Sequence, residues 1–295
     1  MKQIHKPNFL IIGAAKCGTT SLAAILADHP ECCMSRPKEV SFFQDNYDHK
    51  PNPNYEKGWK WYSEAFQHYS GEKVIGEATP SYTDRSRSPN TAKRIFEFNS
   101  KMKVIYMVRN PLKRQMSAWK MQYTSGKSNP RAIEHKWALK GFEYWMQKQK
   151  EIKQWDMCRY NYQLDAYRER LPGDQIFISF LEDWQDDQQL ELEKICDFLK
   201  INAKLLNIRK KEGHNRADER TVPTALVKSK LAQSSKIFFP KKVRKYISSK
   251  YGKKKIHVPS HNLSDKTKTM FLEYIYDDVN CFLKLQNKPT DFWKM

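Results

Sequence analysis

The stretch Phe9-Leu10-Ile11-Ile12-Gly13-Ala14-Ala15-Lys16-Cys17-Gly18-Thr19-Thr20-Ser21-Leu22 decides the fold. Phe9 to Ile12 is too short an apolar run for a helix and suits a strand buried on both faces. Small residues follow, bracketed by Gly13 and Gly18, with Lys16 between them. Thr19-Thr20-Ser21 then open an amphipathic segment with Leu22, Ile25 and Leu26 on one face, stopped by His29-Pro30. A strand, a tight glycine loop and a helix N-terminus make an anion site, because backbone N–H groups and the positive end of the helix dipole converge there. Lys16 adds a full charge and the hydroxyls add donors. The stretch predicts a phosphate-type cradle in an α/β protein.

The cradle departs from the common P-loop, G-x-x-x-x-G-K-[ST], in which lysine directly follows the second glycine. Here Lys16 lies inside the loop, and threonine follows Gly18. P-loop enzymes also hold Mg²⁺ partly through an acidic residue at the end of a later strand. The matching strand candidate, Lys103-Val104-Ile105-Tyr106-Met107-Val108, ends in Arg109-Asn110-Pro111. An arginine at that point repels a metal and attracts a second anion. A sulfuryl group in transfer carries less negative charge than a phosphoryl group and depends less on a metal. Lysine in the loop with arginine after the second strand therefore favours sulfuryl transfer without a metal.

Four blocks of the chain resemble those of the PAPS-dependent sulfotransferases, PAPS being 3′-phosphoadenosine 5′-phosphosulfate. Gly13 to Leu22 is similar to that family's 5′-phosphosulfate loop, which implies binding by Lys16, Cys17, Gly18, Thr19, Thr20 and Ser21. Val108-Arg109-Asn110-Pro111, with Ser117 eight residues after Arg109, resembles its 3′-phosphate site. Pro37-Lys38-Glu39-Val40-Ser41-Phe42-Phe43 and Gly76-Glu77-Ala78-Thr79-Pro80-Ser81-Tyr82 resemble the acceptor-side blocks of its heparan-sulfate-type and bacterial branches. The resemblance implies that Glu39 is the general base, taking the acceptor hydroxyl's proton as that oxygen attacks sulfur. It further implies that Lys16 steadies charge on the leaving oxygen, and that Lys38 and Glu77 contact the acceptor. Glycan-modifying relatives often carry lysine at the position of Ala78, and Lys38 is the residue here able to stand in. On the residues alone, Lys38 and Glu39 also read as a surface ion pair worth less than ~1 kcal/mol.

The remaining chain reads as scaffold and cover. Lys73 to Gly76 and Gln175 to Phe180 are strand candidates, and Tyr55 to Phe66 a short helix. Pro111 suits the first turn of a helix; Gly126 to Pro130 reads as a turn, and residues 131–153 and Tyr160 to Tyr167 as helical. Ser264 caps a final helix with a buried stripe from Met270 to Leu283, and Trp293 is a closing aromatic. The expected fold is α/β, a P-loop-like three-layer arrangement with a central parallel sheet flanked by helices, in one domain over residues 1–295.

The chain of 295 residues has a net charge of +20, of which +14 falls in residues 201–255. A basic, lid-like segment over residues 203–260 is expected to cover the nucleotide, with Asn215 and Arg216 as its contacts. The charge also reads as a solvated basic face or an attractor of anionic acceptors. No recognised nucleic-acid motif accompanies it, so no specific nucleic-acid partner is expected. An apolar share of 39% supports a sizeable core, and no apolar run is long enough for a membrane span. Six cysteines without metal or disulfide spacing, and an N-terminus without a signal-type apolar segment, predict a cytoplasmic protein. The expected acceptor is a carbohydrate or small-molecule hydroxyl. Two rival classes remain at this stage: a metal-dependent P-loop kinase and a non-catalytic basic module binding polyanions.

Overall fold

The apolar run near the N-terminus forms β1 (Phe9–Gly13), and every one of its residues is buried. It lies at the centre of a five-stranded sheet with β2 (Cys32–Met34), β3 (Val74–Ala78), β4 (Lys103–Val108) and β5 (Ile176–Phe180). The order is β2-β3-β1-β4-β5, with every pairing parallel. The computed structural model describes residues 6–47, 50–128, 131–207, 221–223 and 253–295. The described helices include α1 (Thr19–Ala27), α2 (Gly58–Ser63), α3 (Thr91–Phe98), α4 (Pro111–Ser128), α5 (Ile133–Leu139), α6 (Phe142–Glu151), α7 (Tyr160–Arg168), α8 (Leu181–Asp186), α9 (Gln188–Leu199) and α10 (Asp265–Leu285). This is the P-loop-like α/β arrangement that the sequence predicts.

Register positions the site. Phe9, Leu10 and Ile11 of β1 stand opposite Gly76, Glu77 and Ala78 of β3 on one side and Lys103, Val104 and Ile105 of β4 on the other. Strand order reverses at β1, with the second and third strands to one side and the fourth and fifth to the other. In open parallel sheets ligands bind beyond the C-terminal strand ends at such a point. The loops after β1, β2, β3 and β4 carry Lys16, Glu39, Thr79 and Arg109 respectively, so the four blocks converge on one edge of the sheet.

The chain divides into two compact units, one of Met1–Arg114, Lys153–Glu212 and Thr269–Met295, the other of Gln115–Ile152 and Gly213–Lys268. The sheet belongs to the first. Its core closes with Trp293, 4% exposed, against Tyr160, Phe180 and Phe282, while the Asn110 amide donates to the Trp293 carbonyl at 2.7 Å. In the second unit the Trp119 indole donates to the Ala138 carbonyl at 3.0 Å. The Ser264 hydroxyl accepts from the Thr267 amide at 3.2 Å, the cap expected at the start of α10.

Three helix boundaries differ from expectation. The helix expected over Tyr55–Phe66 is instead a 3₁₀ turn (Tyr55–Lys57), α2, and a second 3₁₀ turn (Glu64–Phe66), because Gly58 at φ 73° breaks the helical path. Helix α4 runs through Gly126 to Ser128 rather than turning there; a Cβ at Gly126 would stand 3.0 Å from the His135 carbonyl, so glycine permits that close approach. Residues 131–153 split into α5 and α6 at Gly141, whose φ of 109° suits glycine.

Candidate active site

The loop between β1 and α1 is pinned from behind. A Cβ at Gly13 would collide with the Thr83 hydroxyl and stand 2.9 Å from the Pro80 carbonyl, so only glycine lets the chain leave the strand here. The Ala14 amide donates to Met107 of β4 at 2.6 Å. Two arginines hold the loop carbonyls: Arg114 Nε donates to Ala15 and Arg109 Nη1 to Lys16, each at 3.2 Å. Tyr160 fixes the arginine strand end in turn, its hydroxyl donating to the Arg109 carbonyl at 2.7 Å. Gly18 ends the loop at φ 96° and forms the N-cap of α1 without any side-chain cap. Among the described residues, no side chain caps the first turn of the helix.

The open donors are fewer than the sequence suggests. Cys17 donates its amide to Ala14 at 3.2 Å and Ser21 donates its own to Gly18 at 2.9 Å. Among the described residues no backbone acceptor serves the amides of Gly18, Thr19 and Thr20. The Cys17 thiol is buried and pushed up to about 12 by that burial, which keeps it an uncharged packing group. Among the described residues, Arg109 Nε is buried without a hydrogen-bond partner. A buried guanidinium N–H of this kind costs free energy until an anion takes it. Ser117 lies half-buried on α4 in the second unit.

The segment after β2 brings a lysine, a carboxylate and the loop helix together. Lys38 Nζ donates to Thr20 Oγ1 at 3.1 Å and pairs with Glu39 Oε1 at 2.8 Å. The Glu39 side chain is half exposed, yet the four residues that follow it, Val40, Ser41, Phe42 and Phe43, are all buried. These four residues form no helix or strand, and side chains hold their amides. Val40 donates to Glu77 Oε2 at 3.0 Å, Ser41 to Thr79 Oγ1 at 3.2 Å, and Phe42 and Phe43 to the Tyr82 hydroxyl at 3.0 and 3.4 Å.

Glu77 sits at the base of this arrangement, completely buried. Its carboxylate accepts from Tyr62 at 2.8 Å, Tyr82 at 2.5 Å, Thr79 at 2.8 Å and Val40. Burial pushes its carboxyl above the ordinary range, and the four donors oppose that shift. Burial and the neighbouring carboxylate push the phenols of Tyr62 and Tyr82 well above theirs. With both oxygens engaged by the protein, Glu77 lies under the site rather than at its surface, which differs from the acceptor contact expected of it.

The structure thus brings Lys38, Glu39 and Thr20 to one place and puts Arg109 against the Lys16 carbonyl. Asn215 and Arg216, with most of the basic lid-like segment, lie outside the described residues. Sequence reading missed Arg114 and the structural roles of Thr79, Tyr82 and Tyr62. Arg114 is 5% exposed on an otherwise ordinary helix face and gives no pattern signal. Thr79 and Tyr82 stand in a block whose spacing marks it out, but their partners are 38 to 40 residues away.

The chain matches the model of the Sulfotransferase domain family over residues 6–276. It belongs to the sulfotransferase family. Among curated proteins this sulfotransferase chain is similar to the membrane-associated sulfotransferase kil1 of Dictyostelium discoideum, 36% identical over 40% of this chain and 23% of that protein. It is also similar to heparan sulfate glucosamine 3-O-sulfotransferase 5 of Homo sapiens, 31% identical over 38% of this chain and 29% of that protein. These alignments span less than a third of the length of either relative. A solved sulfotransferase from Alicyclobacillus acidocaldarius has the same fold, with a TM-score of 0.64 at 19% identity over 99% of this chain and all of that one. Among the described residues of this sulfotransferase, no helix is long and apolar enough to cross a membrane.

Proposed function

We propose that this sulfotransferase moves the sulfuryl group of PAPS to an acceptor hydroxyl, with Glu39 as general base. The observation that carries the reading is the unbroken contact from Glu39 through Lys38 to Thr20, which links a half-exposed carboxylate to the first turn of an uncapped loop helix. The buried, unpartnered Nε of Arg109 supports a second anion at the end of β4. PAPS has an anionic group for each place.

In this reading Lys16, the open amides of Gly18, Thr19 and Thr20, and the Thr20 hydroxyl hold the 5′-phosphosulfate. Cys17 and Ser21 shape the loop around it. Arg109 takes the 3′-phosphate, with Ser117 assigned to the same group by its spacing in the sequence, and Asn215 and Arg216 by resemblance. The acceptor oxygen attacks sulfur as the bond from sulfur to the bridging oxygen breaks. Glu39 takes the acceptor's proton, and Lys16 offsets the charge that the leaving nucleotide gains. Lys38 lies where it can neutralise the oxygens of the transferring group and orient Glu39. Positioning and fixed charge account for most of the rate.

A carbohydrate hydroxyl is the proposed acceptor class, in line with the named substrate of the heparan sulfate relative; a small molecule is the alternative. Six free cysteines, five of them buried, support a reducing, cytoplasmic setting. The test is Glu39→Gln. PAP, the desulfated nucleotide, should bind with unchanged affinity in calorimetry. Transfer of labelled sulfuryl from PAPS to the acceptor fraction of a cell extract should fall by about 100-fold or more. Unchanged transfer removes Glu39 from the role.

A further inference from the structure

The backbone behind Glu39 is held more completely than a surface ion pair requires. Besides the four amides already described, its carbonyls are engaged. Asn54 Nδ2 donates to the Val40 carbonyl at 3.4 Å, Asn52 Nδ2 to Ser41 at 2.6 Å, and Arg94 Nη1 to Phe43 at 3.3 Å. The Lys38 carbonyl accepts from the Ala78 amide at 3.2 Å and the Ser35 hydroxyl at 3.0 Å. Irregular backbone buried away from water needs such partners. Here they are side chains drawn from the blocks on either side, and Ser41 is held at φ 57°, an uncommon value for a residue with a side chain.

We infer that Glu77, Thr79 and Tyr82 form a positioning clamp that fixes the height and direction of Glu39. The logic lies in hydroxyl polarity. Thr79 and Tyr82 each have one proton to donate, and both donate it to Glu77. Their oxygens are thereby turned outward as acceptors for the amides of Ser41, Phe42 and Phe43. Glu77 accepts the Val40 amide directly. One buried carboxylate thus orders four consecutive amides, and the first side chain beyond the clamped run is Glu39. Burial pushes the Glu77 carboxyl up and its four donors oppose that shift, as in a site that bears the cost of burying charge in order to orient its neighbours. A general base gains most from being held in place before the acceptor arrives.

The inference rests on Glu39 as the base, and its test separates the two. Thr79→Val removes the oxygen that accepts Ser41, Thr79→Ser retains it, and Tyr82→Phe removes the acceptor of Phe42 and Phe43. Transfer from labelled PAPS to the acceptor fraction of extract, per folded molecule, should fall about 10-fold or more in Thr79→Val and Tyr82→Phe. The KM for PAPS and the Kd for PAP should stay within twofold, and Thr79→Ser should recover most of the rate. In a Glu39→Gln background Thr79→Val should cost no further rate, because the clamp acts only through that carboxylate. Wild-type turnover in both clamp variants, while Glu39→Gln is inactive, overturns the clamp and leaves the base in place. Wild-type turnover in Glu39→Gln overturns both. Hydrogen exchange gives a readout that needs no acceptor: the Val40 to Phe43 amides should be protected in the native chain, and those of Phe42 and Phe43 should lose protection in Tyr82→Phe. Fast exchange at these amides in the native chain overturns the clamp by itself.

Discussion

Two loops meet at the end of this sheet, and they treat their backbone in opposite ways. Between β1 and α1 the carbonyls of Ala15 and Lys16 are gripped by arginines, while the amides of Gly18, Thr19 and Thr20 are left open. After β2 the reverse holds: the amides from Val40 to Phe43 are taken by side chains, and the half-exposed Glu39 carboxylate stands just before them. An open set of backbone donors is free to take an anion, whereas a closed set can only hold its own segment in place. A glycine-bearing loop serves the first purpose because its donors are backbone. The second needs buried polar side chains from elsewhere in the chain, here from the end of β3.

The largest way to break this contrast is Glu77→Ala. It leaves the Val40 amide and three hydroxyls without their acceptor in a fully buried place, and opens a void. Stability should fall by about 3 kcal/mol or more, read from denaturant unfolding, because stranded donors keep their full desolvation cost. Lys16→Met tests the other loop. It should weaken PAP binding roughly tenfold by calorimetry, equivalent to ~1.4 kcal/mol, and leave the unfolding midpoint almost unchanged. Stability thus tracks the closed loop and affinity the open one; equal effects of both variants on both readouts would dissolve the distinction.

A further test sharpens the comparison away from the site, at a third set of backbone donors. Asp278 of α10 accepts the amides of Asn161 and Tyr162 at the start of α7, at 3.0 and 2.8 Å. Burial pushes its carboxyl from 3.8 up to about 6, against the pull of those two amides and Arg159. An acid whose folded value is raised favours the native state in its protonated form. Its contribution is therefore complete below about pH 4 and is lost as pH rises through 6. Asp278→Asn should abolish that slope, worth on the order of 2 kcal/mol across the interval, in unfolding measured from pH 4 to 7.

Four of the sheet's five strands were legible because each is a local signal. Phe9 to Ile12 and Lys103 to Val108 are short apolar runs with turn residues after them, and buried parallel strands leave that trace in any sequence. The loop was legible too, since Gly13, Lys16 and Gly18 are close neighbours whose function is local. Breaks in helices were less so: Gly58 and Gly141 stop helical runs, whereas Gly126 is passed through, and only packing distinguishes them. The clamp left no trace of its role. Its bonds join Thr79 to Ser41 and Tyr82 to Phe42 across dozens of residues, with no periodicity, and Glu77 reads in sequence like any exposed carboxylate. Family resemblance marked that block as significant and pointed to an acceptor contact; burial is what assigns it to the other side of the wall.

The distribution of sulfur in the molecule has a practical corollary. Cys17, Cys32, Cys33, Cys158 and Cys196 are sealed inside, and Cys281 alone of the six is exposed, on α10. Thiols that burial keeps protonated are poor nucleophiles, as at Cys17. The native chain consequently offers a single attachment point for a dye or spin label, on a helix whose adjacent Phe282 packs in the core, without any cysteine having to be engineered away.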